Sequence, residues 1–254
     1  VDFGEVNPLA AAGGSPESAV RRAIACISRL SEARYEPGEV VQSSATKFPF
    51  PDDFADCVFT DPPYYNAVPY ADLMDFFYVW LRRSIRQDWP ELFKGDLCPK
   101  DPEICEMSGW DPVRYPHKGR AFFEDGMTKA LAEARRCVRP DGIGVVVFAH
   151  KSTAGWEALL QAVVNAGWIV TASWPIDTEM ASRLRAKGSA VLSSSVHLVC
   201  RPREDQSGAL RETDIGDWRS VLEELPRRIH AWMPRLVDEG IVGADAIFAC
   251  LGPA

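Results

Sequence analysis

The segment Asp61-Pro62-Pro63-Tyr64-Tyr65-Asn66 has residue types and spacing that could do chemistry. It follows a short apolar run, Asp56–Thr60 (DCVFT). Asp61 offers a carboxylate, and two prolines with locked φ hold the neighbouring Pro62 carbonyl still. Two fixed hydrogen-bond acceptors are thus followed by two aromatic rings and a side-chain amide. The plainer alternative is a simple strand-end turn, for which Asp-Pro is common. Ligands of open α/β sheets bind beyond the carboxyl ends of strands, where this segment would lie.

The elements that must position it can be read from periodicity. Pro-Pro excludes a helix through Asp56–Thr60 and leaves a buried strand. Downstream, Leu73, Phe76, Phe77, Trp80 and Leu81 recur at helical spacing and predict a helix over 71–86 with this stripe in the core. A second helix is expected from Pro16 to about Arg34, with Ser15 as N-cap and Pro16 as first helical residue. Val1–Val6 and GEVVQSSA (38–45) read as strands. Ala121–Val138 reads as a helix ending in an RPDG turn. Ile143–Ala149 (IGVVVFA) reads as a strand covered on both faces. A helix over 154–166 ending at Gly167, strands over 168–174 and 194–200, and a helix over about 217–239 holding Pro226 and Pro234 complete the path. This alternation predicts a doubly wound α/β sheet. The last strand pair has no helix between its members, which places an antiparallel pair at one sheet edge. The stretch 87–119 is long, Pro-rich and patternless, as functional or mobile loops are.

The chain has 254 residues, 46% hydrophobic and 25% charged, which suits one large α/β domain. Its net charge of −8 argues against a nonspecific nucleic-acid coat but leaves room for a local basic groove. Seven scattered cysteines without a CxxC pair argue against a zinc site, so no metal is expected, and they suit a reducing cytoplasm. No apolar run reaches the ~18 residues that span a bilayer.

The turn resembles motif IV of the amino-methyltransferases that modify adenine N6 or cytosine N4 with S-adenosylmethionine. GEVVQSSATKFPFPDDFADCVFTDPPYY resembles the pattern leading into that motif, and RPDGIGVVVFAHK the strand after it. More narrowly, DFGEVNP, ELFKGDLCPKD, WPIDTE and GSAVLSSSVHLVCR are similar to segments of large adenine-specific DNA methylases carrying a domain of unknown function, DUF1156.

The resemblance implies a Rossmann-like class I methyltransferase fold and catalytic roles for Asp61, Pro62, Pro63 and Tyr64. The Asp61 carboxylate and Pro62 carbonyl would accept the two N–H bonds of an exocyclic amine and stabilise the charge that develops on nitrogen. Tyr64 would stack on a base swung out of its duplex. Tyr65, Asn66, His150 and Lys151 are candidate substrate contacts, although Asn66 is also a good turn residue and His150–Lys151 a plain strand end. The cofactor adenine would lie near Ser44, Ala45 and Asp61, where family members often carry an acid in place of Ser43 or Ser44. Arg183, Arg185 and Lys187, with Lys118 and Arg120, are candidate DNA phosphate contacts; solvated loops are the alternative.

These enzymes also need a glycine-rich cofactor turn well upstream, and Asn7–Ser18 is a poor candidate for it. The expectation is therefore an incomplete fold, a fragment of a larger enzyme whose cofactor-binding N-terminal half is its missing partner. Residues 1–205 would form the catalytic half and 206–254 a helical extension. The alternatives are cytosine N4 methylation and a noncatalytic DNA- or partner-binding module.

Overall fold

In the computed structural model of the chain, the described residues are 15–32, 36, 38–150, 152–176, 195–204 and 218–238. The chain falls into two units, Val1–Gln42 and Ser43–Ala254. Expectations for Val1–Val6, Lys151, Arg183, Arg185 and Lys187 fall outside the described residues.

The first unit contributes α1 (Pro16–Glu32). Its start is capped as expected: the Ser15 hydroxyl accepts the Ser18 N–H at 3.3 Å. Its apolar stripe, including Val20, Ile24, Ile27 and Leu30, is exposed.

The second unit is an α/β arrangement around one mixed four-strand sheet. Its elements are β1 (Ala55–Thr60), α2 (Tyr70–Ile85), α3 (Arg120–Cys137), β2 (Val138–Phe148), α4 (Thr153–Asn165), β3 (Trp168–Ile176), β4 (Ser195–Pro202) and α5 (Trp218–Asp238). The strand order is β1-β2-β4-β3. β1 and β2 are parallel, with Thr60 opposite Val146. β4 runs antiparallel to both β2 and β3. The antiparallel pair thus lies at one edge, but the reversed strand is β4, one place in, rather than the edge strand itself.

One face of the sheet carries the main core. α3 contributes Phe123, Met127, Leu131 and Ala134, spaced one turn apart. α4 adds Trp156, Leu159, Ala162 and Val163, and the strands meet them with Val146, Phe148, Val196 and Leu198. Ser152 caps α4 by accepting the Gly155 N–H at 3.3 Å. Gly167 ends it at φ +83°, a left-handed conformation that favours glycine. The Trp168 indole reaches the Leu131 carbonyl at 2.9 Å. Gly144 makes room for that ring, since a Cβ there would lie 2.7 Å from it.

Three expectations need correction. GEVVQSSA is not a strand; its only pairing is a bridge from Ser44 to Lys47. No described strand lies beside β1 on that side, so the segment has no ladder to join, and Val40 is fully exposed. RPDG is not a free turn but an irregularity inside β2, which begins directly after α3; Ala55 opposes Val138 while Cys57 opposes Ile143. The strand Ile143–Ala149 is covered as expected, with no exposed residue over 143–148 on either face, whereas Phe59 of β1 and Trp174 of β3 are 63% and 62% exposed. The α2 stripe is not core, as Leu73, Phe76, Phe77, Trp80 and Leu81 are all exposed.

Candidate active site

β1 delivers Asp61 to its carboxyl end, and the parallel β2 delivers His150 to the same end of the sheet. Asp61 is exposed, while Pro62, Pro63 and Tyr64 are half-buried. The turn closes on itself through Tyr65 N–H to the Pro63 carbonyl at 3.0 Å and Ala67 N–H to the Tyr64 carbonyl at 2.9 Å. Tyr64 packs edge-on against Phe148 at 5.3 Å between ring centroids.

Tyr65 is bent into the left-handed region, φ +55°. Such a backbone is costly for a bulky residue and persists only where its surroundings over-determine it. Here the ring is buried between Phe123 and His150, at 5.1 and 5.5 Å. Burial pushes the Tyr65 phenol above its ordinary value, and the nearby Glu106 carboxylate adds to the shift.

Asn66 sits inside a polar network. Its Oδ1 lies 3.0 Å from His150 Nε2 and its Nδ2 lies 3.4 Å from Glu106 Oε2. Its carbonyl accepts the Trp110 indole N–H at 2.8 Å. On the other side, His150 Nδ1 lies 2.9 Å from the Ser152 hydroxyl and accepts the Ser152 N–H at 3.2 Å. The His150 carbonyl accepts the Trp156 indole N–H at 2.9 Å.

The patternless stretch after α2 forms a clasp around this turn. Glu106 N–H donates to the Tyr65 carbonyl at 3.1 Å. Glu103 accepts the Ala71 N–H at 3.1 Å, serving the start of α2, which its own Pro69 cannot cap. Asp75 accepts from Lys100 Nζ at 2.7 Å and from the Cys98 N–H at 2.9 Å. The Lys100 bond comes first in holding the Asp75 carboxyl below its ordinary value. Burial pushes the Cys105 thiol up to about 12, so it is a packed thiol rather than a nucleophile.

Lys118 requires a correction as a phosphate contact. It is 1% exposed, and its Nζ donates to the carbonyls of Glu103, at 2.9 Å, and Lys100. Arg120 is partly exposed but paired with Glu124 at 2.7 Å and Glu157 at 3.5 Å. Ser44 and Ala45 lie on an exposed turn, where the Ser44 hydroxyl meets that of Thr46 at 2.9 Å. Among the described residues, no hydrogen bond of theirs reaches the Asp61 turn.

A cleft of about 310 Å³ is lined by Val79, Arg82, Arg83 and Arg86. It lies on the second half of α2, with Val79 about 14 Å of helix beyond Tyr70 at ~1.5 Å per residue, and none of the residues of the turn line it.

Sequence reasoning missed Tyr70, Glu106 and Trp110. Tyr70 opens α2 beside the turn, and its phenol is raised by burial and then by the Asp61 carboxylate. Glu106 is one of seven acids in its loop, with nothing local to single it out. Arranged together, these groups present an exposed carboxylate, a rigid carbonyl and aromatic rings on a turn held from behind. No family model matches this chain, and a search of curated proteins finds no match to it.

Proposed function

We propose that this chain carries the amine-accepting part of an S-adenosylmethionine-dependent DNA methyltransferase, acting on adenine N6 of a flipped-out base. The observation that carries the reading is the turn itself. Asp61 stands exposed at the carboxyl end of β1, with the Pro62 carbonyl beside it and Tyr64 and Tyr65 backed by Phe148, Phe123 and His150.

The amine's lone pair is delocalised into the base ring, which makes it a weak nucleophile. Two acceptors on its N–H bonds draw the lone pair back onto nitrogen as the methyl group arrives and offset the developing positive charge. No residue is required as a strong base, because the methylated amine can lose its proton to water. The mixed α/β sheet is compatible with this reading, with the Asp61 turn at the carboxyl end of β1, an edge strand of the described sheet. S-adenosylmethionine supplies the methyl group.

The test is product analysis by mass spectrometry after incubating the full-length protein with isotopically labelled S-adenosylmethionine and duplex DNA. N6-methyladenine is expected. N4-methylcytosine would keep the mechanism and change the base. Absence of labelled DNA with retained duplex binding would leave a noncatalytic binding module.

A further inference from the structure

We propose that His150, Asn66 and Glu106 form a positioning chain that sets the geometry of the Asp61–Tyr64 turn, with the Asn66 amide engaged in it rather than reading a base edge. This rests on the reading of the turn as the amine-accepting site.

The direction of each hydrogen bond is determined in sequence. A backbone N–H can only donate, so His150 Nδ1 accepts from Ser152 and the ring carries its proton on Nε2. Nε2–H then donates to Asn66 Oδ1. That orients the amide with Nδ2 toward Glu106 Oε2. The second Glu106 oxygen accepts the Gly109 N–H at 3.0 Å and the Ser108 hydroxyl. Each link of the chain pairs one donor with one acceptor, so the orientation is self-consistent.

The chain is tied to the turn at three places. Glu106 N–H holds the Tyr65 carbonyl, Trp110 holds the Asn66 carbonyl, and the His150 ring supports the Tyr65 ring edge-on. These are the contacts that over-determine the left-handed backbone at Tyr65. The turn on β1 is thereby joined to the end of β2 and to the start of α4.

Gly155 provides the seat for the imidazole. A Cβ there would lie 2.7 Å from His150 Cγ and closer still to Nδ1, so an alanine must displace the ring. Gly155 lies in the first turn of α4, and its φ is not positive, so alanine is acceptable to its backbone.

The test compares Glu106→Gln, Gly155→Ala and Asn66→Ala with wild type in the full-length protein. Two readouts are taken: hydrogen exchange of peptides covering 62–68, and kcat and KM on an adenine-containing duplex. Glu106→Gln and Gly155→Ala should speed exchange of the turn by about tenfold, the scale of losing one charge-assisted bond. They should lower kcat by about 10²-fold, as misplacement by ~1 Å does, with KM for DNA unchanged. Unchanged exchange and kcat in both variants would overturn the proposal. So would a raised KM for DNA in Asn66→Ala with unaltered exchange, which would make Asn66 a base contact. A wild-type protein that transfers no methyl group removes the functional reading alone; the exchange comparison still decides whether the chain holds the turn.

Discussion

Glu133 receives Arg136, three residues along α3, at two points, 2.8 and 3.0 Å, and the Phe48 N–H, 85 positions earlier, at 2.7 Å. Arg136 extends the clamp to the Phe50 carbonyl at 2.9 Å and to Asp52 at 2.5 Å. The connector that feeds β1 is therefore pinned to α3. Where β1 begins decides where Asp61 ends, so this ion pair belongs to the site's foundations.

The Glu133 carboxyl is held down to about 2, from an ordinary value near 4.5, chiefly by the Arg136 hydrogen bonds and against the opposing effect of burial. A depressed folded-state value contributes stability that is complete above ~4.5 and is lost as pH falls toward about 2. Urea midpoints measured from pH 5 to 2.5 should therefore fall more steeply for wild type than for Glu133→Gln. A constant difference between the two across that window would contradict the assignment.

On the proposed reading, Asp61→Ala should reduce methyl transfer by about 10²- to 10³-fold, the usual effect of removing one preorganised electrostatic partner. Because the side chain is exposed, stability should change by no more than ~0.5 kcal/mol. Rate and thermal midpoint measured on the same preparation separate the two effects. A large drop in midpoint would mean that Asp61 is structural.

Trp168→Phe should destabilise by about 1–3 kcal/mol, since the Leu131 carbonyl loses the indole donor in the core. Gly144→Ala should cost a similar ~1–3 kcal/mol by overpacking the same ring. Chemical unfolding of each checks this, and the two effects should not simply add, because they act on one side chain.

Lys118→Met should loosen the clasp without unfolding the sheet. Two carbonyls would lose their shared ammonium donor, and limited proteolysis within 94–119 should quicken. Cleavage at the wild-type rate would show that the other clasp contacts suffice.

Much of the fold around the site was legible because its signals are local. Gly167 at the end of α4 and the Pro-Pro stop after β1 each act within a few residues. Other features depend on partners far along the chain. The α2 stripe has the period of a core helix, but periodicity says which face is apolar and not what covers it. Lys118 looked like surface charge in a polar loop; only the folded loop brings two carbonyls to it. Glu106 lies 40 positions from Asn66, and nothing in either neighbourhood announces the pairing.

The placement of β4 between β2 and β3 bears on the order in which the sheet can assemble. During synthesis from the N-terminus, β2 and β3 are both made before the strand that separates them. Neither can pair correctly on that side until Pro202 has left the ribosome, and pairing them directly would close the gap β4 must fill. One route consistent with this order has β3 and β4 pair first and then dock through β4 onto the edge of β2. Nascent chains stopped short of β4 should therefore present two unsatisfied strand edges, the kind of surface that chaperones cover.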